Sequence, residues 1–216
     1  MRTFLRMKNR HSRRLPDEFR GEELRYPEEL VATFLRQYTR PGDVVLDPFA
    51  GYGTTLVVAE AMGRVPVGVE LDGRRVAYIR SLLREPGAIR QGDARRLAEH
   101  GLPRCDFVMT SPPFMERGDA EDPFAGYAQP GAGYDAYLRD LRAVFAQVRA
   151  LMKPGARAVL EVANLKGPAG VTTLAWDAAR AVGEELTFEG ELVIGWDSYA
   201  YGYDHSYCLV FVRPEA

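Results

Sequence analysis

Apolar positions along the chain fall into two rhythms. Within residues 25–37, Leu30, Val31, Phe34 and Leu35 recur at helical spacing. Pro27 suits an early helical position, Glu28 and Glu29 suit a helix N-terminus, and Pro41-Gly42 turns the chain. Short apolar runs then alternate with helix-like stretches. Strands are predicted at 43–47, 65–70, 88–91 and 106–110, with helices at 53–62 and 74–84. A polar segment bearing Gly and Pro covers 115–133, and a helix over 134–151 ends at Pro154-Gly155. A strand at 156–162, a helix at 172–182 and strands at 187–194 and 206–212 complete the chain. Alternation of this kind predicts right-handed crossovers and a mainly parallel sheet. The last two strands have no helix between them and are expected to pair antiparallel. The expectation is one α/β domain over 24–216, preceded by a basic arm at 1–23.

The polar residues gather where such a sheet binds ligands, at strand ends near the point where strand order reverses. Asp47-Pro48-Phe49-Ala50-Gly51-Tyr52-Gly53-Thr54-Thr55 follows the run Val44-Val45-Leu46 and opens a helix. Gly51 and Gly53 let the backbone turn tightly and approach a ligand, and Thr54 and Thr55 offer hydroxyls at the helix start. The glycine pattern of dinucleotide sites and the Gly-Lys-Ser/Thr of phosphate loops are both missing. An acid at the first position would repel a pyrophosphate and attract an ammonium group. S-adenosylmethionine carries an ammonium, a ribose, an adenine and a sulfonium. Glu70, ending the second strand, could accept from both ribose hydroxyls, and Asp93, after the third, from the adenine amino group. A Rossmann-like fold with another nucleotide ligand is the competing reading.

The second signal is Ser111-Pro112-Pro113-Phe114, after the run Phe107-Val108-Met109. The proline pair ends the hydrogen-bond ladder and stiffens the turn. Its carbonyls and the Ser111 hydroxyl could accept from a substrate amine, and Phe114 could stack on a flat heterocycle. An ordinary proline-rich loop with Phe114 folded into the core is the plainer alternative. The exocyclic amine of a heterocycle is a weak nucleophile because its lone pair is delocalised. Acceptors around the amine favour a pyramidal nitrogen, and in-line placement against a methyl sulfonium supplies much of the rest. Neither signal contains a cysteine, so covalent attack on a ring carbon is not expected. His11, His100 and His205 are scattered, and no metal site is expected.

With both signals on the page, the chain resembles the DNA amino-methyltransferases that make N4-methylcytosine or N6-methyladenine. It also resembles related RNA guanosine N2-methyltransferases. The likeness covers roughly residues 24–213, including Arg25-Tyr26-Pro27-Glu28-Glu29-Leu30, Pro41-Gly42-Asp43 and Lys153-Pro154-Gly155. It implies a single Rossmann-like class I methyltransferase domain with a seven-stranded, mainly parallel sheet and a terminal antiparallel strand. It further implies that Asp47, Gly51, Gly53, Glu70 and Asp93 contact S-adenosyl-L-methionine. Pro27, Pro48, Phe49, Thr54 and Thr55 would border the cofactor, and Ser111, Pro112, Pro113 and Phe114 would hold the target base. Serine heading that turn is commoner in the N4-cytosine enzymes, which tilts the expected base toward cytosine. Tyr52 departs from the small residue frequent between the glycines. Family members acting on specific DNA sites carry a recognition segment, for which 216 residues leave no room.

Composition narrows the partners. Apolar residues at 46% and charged residues at 27% fit a globular domain, and no run reaches the length of a membrane span. Cys105 and Cys208 stand in apolar contexts, as reduced core residues of a cytoplasmic protein would. The net charge of −2 is uneven: residues 1–20 hold seven basic and two acidic side chains, leaving −7 on the remainder. The arm is either a nucleic-acid contact or a solvated leader. Glu116, Asp119, Glu121, Asp122 and Asp135 make the loop after the catalytic turn a poor phosphate track, and it reads as a solvated loop, a lid or a contact for a basic partner. Its Phe124, Tyr127 and Tyr134 predict partial docking. Trp196, Tyr199, Tyr201 and Tyr203 are either cross-sheet packing or a stacking wall opposite Phe114. Four functions therefore remain open: a nucleic-acid base amino-methyltransferase, an N-methyltransferase of a free nucleoside or small heterocycle, an RNA guanosine N2-methyltransferase, and a noncatalytic cofactor-binding partner subunit. A homodimer or a separate recognition partner is compatible with each.

Overall fold

The computed structural model describes residues 3–19, 21, 24–167, 170–199 and 201–215. Strands β1 (Phe4–Met7), β2 (Val44–Asp47), β3 (Val65–Glu70), β4 (Ile89–Gln91), β5 (Cys105–Thr110) and β6 (Met152–Val162) alternate with helices α1 (Glu28–Tyr38), α2 (Thr54–Ala61), α3 (Gly73–Leu82) and α4 (Tyr134–Leu151). A small hairpin, β7 (Leu165–Gly167) and β8 (Gly170–Thr172), precedes α5 (Leu174–Gly183), β9 (Thr187–Trp196) and β10 (His205–Val212). The main sheet has the order β1-β9-β10-β6-β5-β2-β3-β4. β10 runs antiparallel to both neighbours, and the other pairings are parallel.

Residue alternation explains why both faces are covered. In β2, Val45 packs with α1 residues Leu30 and Phe34, while Leu46 packs with α4 residues Val144 and Phe145. β5 repeats this, with Phe107 and Met109 on the first face and Val108 on the second. A parallel strand buried on both faces needs an unbroken apolar run, which is what made β2 and β5 readable. Cys105 and Cys208 are buried and free. Among the described residues no helix is long and apolar enough to cross a membrane.

Three expectations change. The sheet has eight strands rather than seven, because β1 pairs in parallel with β9 from Phe4↔Val193 to Met7↔Trp196. β1 comes from the stretch expected to be a basic arm or solvated leader. Farther along, Leu15 and Phe19 are buried against Tyr52. Residues 1, 2, 20, 22 and 23 of that stretch lie outside the described residues. The third change is the β7–β8 hairpin, too short and glycine-bounded to give a strand signal.

Candidate active site

The sheet order reverses between β2 and β5, one half continuing through β3 and β4, the other through β6. Beyond their carboxyl ends opens a cavity of about 890 Å³. That lies toward the upper end of the roughly 300–1,000 Å³ usual for small-molecule sites. Pro27, Pro48, Phe49, Gly51, Thr54, Glu70, Asp93 and all of Ser111–Phe114 line it. Asp47, Gly53 and Thr55 do not, and each has an identifiable task beneath the surface.

One side of the cavity is a loop shaped by strand-end carboxylates. Gly53 adopts φ +75°, and a Cβ there would lie 2.8 Å from Ile79 Cγ1, so the loop lies directly on α3. Glu70 is buried; its Oε2 accepts the Gly51 N–H at 2.8 Å and its Oε1 the Asp72 N–H at 2.9 Å. Burial raises its pKa from the ordinary range. It thus ties the glycine loop to the turn after β3 while still facing the cavity. The Thr54 Oγ1 is buried and lacks a hydrogen-bond partner among the described residues.

Asp47 behaves differently from expectation. Its side chain is buried under the loop, where Oδ1 accepts from the Thr110 hydroxyl at 2.6 Å and the Phe49 N–H at 3.1 Å. Oδ2 accepts from the Tyr26 hydroxyl at 3.3 Å. Burial outweighs these donors and pushes its pKa up to about 6. The carboxylate therefore bolts β2 to β5. Thr55 continues the bolt: its hydroxyl lies 2.5 Å from that of Tyr26 and donates to the Met109 carbonyl of β5 at 3.3 Å. Asp93 reaches the cavity, but Arg95 grips its carboxylate at 2.8–3.1 Å. Arg95 also pairs with Asp122, tethering the acidic loop to the β4 turn.

Across the cavity, the Ser111 hydroxyl donates to Glu161 Oε2 at 3.1 Å. Glu161, one residue before the end of β6, is buried and accepts from the Tyr199 hydroxyl at 3.1 Å through Oε1. Burial raises its pKa. The Phe114 ring faces Tyr201 at 5.3 Å, Tyr201 meets Tyr199 at 6.0 Å, and Tyr199 stacks on Trp196 at 5.8 Å. Phe114, Trp196, Tyr199 and Tyr201 all line the cavity, so the aromatic cluster does form a wall beside Phe114. Tyr203 and His205 stay outside; His205 contacts Asp204 and Tyr207 instead. The acidic loop docks as its aromatics predict: Phe124 and Tyr134 are buried, and the Tyr127 hydroxyl donates to the Phe114 carbonyl at 2.7 Å.

Glu161 was missed by sequence reasoning, although an acid inside the run Val159-Leu160-Glu161-Val162 was the available signal. Tyr26 carries no sequence signal beyond its place in the segment Arg25–Leu30. Tyr52 lines the cavity and is held from behind, with Phe19 at 5.3 Å and the Arg75 guanidinium 4.7 Å from its ring centre.

Residues 5–81 match the model of a family described as DNA methylase, comprising the N6 and N4 enzymes. The chain is 38% identical over 87 residues to the DNA adenine methyltransferase YhdJ of Escherichia coli, covering 40% of this chain and 29% of that protein. The chain spans less than a third of the curated relatives it matches. Among solved structures, TrmN from Thermus thermophilus superposes with a TM-score of 0.59 at 21% identity, over 86% of this chain and 48% of that one. A SAM-dependent methyltransferase from Methanosarcina mazei gives 0.60 at 10% identity, over 85% and 98%. The fold is thus the Rossmann-like fold of S-adenosylmethionine-dependent methyltransferases. At the family level, the sequence match is to the DNA N4/N6 amino-methyltransferases.

Proposed function

We propose that this protein transfers a methyl group from S-adenosylmethionine to an exocyclic amino nitrogen of a nucleic-acid base. One observation carries the reading: the Gly51/Gly53 loop with Glu70 and the Ser111–Phe114 turn with Glu161 open on one cavity from adjacent strand ends. The residues present fit a nucleoside-bearing cofactor. Glu70 offers lone pairs to ribose hydroxyls, Thr54 lines the same space with its hydroxyl buried and unpartnered among the described residues, and Phe49 and Phe124 supply apolar walls. The cofactor, when bound, supplies the electrophilic methyl.

The remaining work falls to this chain. Phe114 and the Trp196–Tyr199–Tyr201 wall hold a flat ring and exclude water. The Ser111 hydroxyl and neighbouring carbonyls hold the amine. As the nitrogen gains a methyl it must lose a proton. Ser111 can take that proton and pass its own to Glu161, whose burial-raised pKa suits receipt. Serine at the head of the turn favours N4-cytosine as the base.

A free nucleoside or small heterocycle is the second reading. The observation favouring it is the acidic loop on the cavity rim, where Asp122 lies beside Pro123–Tyr127. Methyl-labelled cofactor incubated with DNA, RNA, nucleosides and cell metabolites separates the readings, with the labelled product identified by mass spectrometry. Label on an exocyclic amine of a polynucleotide is expected. Label on a ring carbon, an oxygen or a protein side chain defeats the amine mechanism.

A further inference from the structure

Residues 4–15 alternate between outward and inward positions: Arg6, Lys8, Arg10, Ser12 and Arg14 are exposed, while Met7, Asn9, His11 and Arg13 are half-buried and Leu15 is buried. The inward row fastens the segment across the cavity mouth. Asn9 lines the cavity; its backbone N–H donates to Asp197 at 2.8 Å and its side-chain amide to the Ser198 carbonyl at 3.0 Å, next to Tyr199 of the aromatic wall. The Ser12 N–H donates to Glu28 at 3.0 Å. Arg13 donates to the Tyr52 carbonyl at 3.0 Å, and Leu15 packs with Phe19 and Tyr52. The segment therefore runs from the substrate wall to the cofactor loop.

The outward row has the opposite character. Arg6 faces Asp204. Lys8, Arg10 and Arg14 enter no side-chain ion pair or hydrogen bond among the described residues. Two acids beside the segment, Asp197 and Glu28, are turned onto its backbone. Three uncommitted cations thus lie on the outward face of a segment that enters the cavity lining at Asn9, and residues 123–127 of the acidic loop line the cavity elsewhere.

We propose that Lys8, Arg10 and Arg14 form a phosphate rail for a single-stranded polynucleotide whose target base enters the cavity. The proposal rests on the amino-methyltransferase reading and gives it a polymeric substrate. A base reacting inside the aromatic wall must leave its stack. Its flanking phosphates then stay at the mouth, where free cations attract them and the acidic rim turns them away.

The test is anisotropy of labelled single-stranded DNA and RNA oligonucleotides with the parent and with the K8Q/R10Q/R14Q variant, across a salt series. Each phosphate neutralised on a single strand contributes a slope of about −0.7 in log K against log salt. The variant's slope should be shallower by about 2, so the parent loses roughly twenty-fold more affinity between 50 and 200 mM salt. The two oligonucleotides show which sugar the rail prefers. Calorimetric affinity for S-adenosylhomocysteine and methylation of free nucleosides should be equal in both proteins. Equal strand affinity and slope in parent and variant overturn the rail, as does a parent that binds neither strand. Loss of cofactor binding or of all methyl transfer by the parent defeats the underlying enzyme reading instead, and the strand-binding result still stands by itself.

Discussion

Replacing Asp47 with Asn tests whether that carboxylate is a strut or a ligand contact. The side chain is 1% exposed and its pKa is pushed up to about 6 by burial, from an ordinary 3.8. A raised folded-state pKa means the folded protein binds the extra proton between pH 4 and 6. Its stability contribution is therefore complete below about pH 4 and is lost as pH rises through 6. A shift of about two units corresponds to roughly 3 kcal/mol at about 1.4 kcal/mol per unit. Asn cannot titrate, yet its amide oxygen can still accept from Thr110 and the Phe49 N–H, and its NH2 can donate to the Tyr26 hydroxyl. Urea unfolding of both proteins at several pH values gives the difference directly. Glu70 and Glu161 titrate in both and cancel. The variant should gain on the parent by up to about 3 kcal/mol between pH 4 and 7. A flat difference refutes the burial argument. Titration with S-adenosylhomocysteine at pH 8 decides the second half. A strut predicts an affinity change under about threefold, whereas a lost ammonium partner would remove about 1.5–3 kcal/mol, at least tenfold.

Other substitutions separate the two sides of the cavity. Phe114→Ala should weaken base binding by about 1–3 kcal/mol while leaving cofactor affinity intact, measured by single-turnover methylation and calorimetry; Ser111→Ala should lower turnover with the same cofactor affinity. Glu161→Gln keeps the shape but removes the proton acceptor, so turnover should fall and the acidic limb of the pH–rate profile should disappear; an unchanged profile would reduce Glu161 to a packing role. Gly53→Ala places a Cβ 2.8 Å from Ile79 at φ +75° and should destabilise the fold by about 2–4 kcal/mol, read as a drop in Tm.

What was legible in the sequence follows from where the information lies. β2 and β5 are continuous apolar runs because both faces are covered, and the glycine loop is local, so both could be read directly. β1 has only four residues in a basic stretch, and its pairing with β9 joins positions nearly 190 residues apart. Nothing local marks Phe4–Met7 as the eighth strand. Leu15 and Phe19 look isolated until Tyr52 arrives from the glycine loop. That contact also gives a reason for the unusual Tyr between the two glycines.

The carboxylates show the same division more sharply. Sequence placed Asp47, Glu70 and Asp93 at three strand ends, which is where the structure has them. It could not say which way each faces, because that depends on partners in other segments. Thr110, 63 residues away, holds Asp47 beneath the floor, while backbone donors from two turns keep Glu70 at the cavity wall. Arg95 is local to Asp93, but its reach to Asp122 and Asp140 joins that turn to the acidic loop and to α4. Glu161 was hidden for the converse reason. An acid inside an apolar strand is costly to bury without donors, and its donors Ser111 and Tyr199 lie 50 and 38 residues away. A buried acid at a sheet's ligand end is therefore best read as a demand for distant hydroxyls, and finding those hydroxyls on the Ser111–Phe114 turn and the aromatic wall is what joins the two into one site.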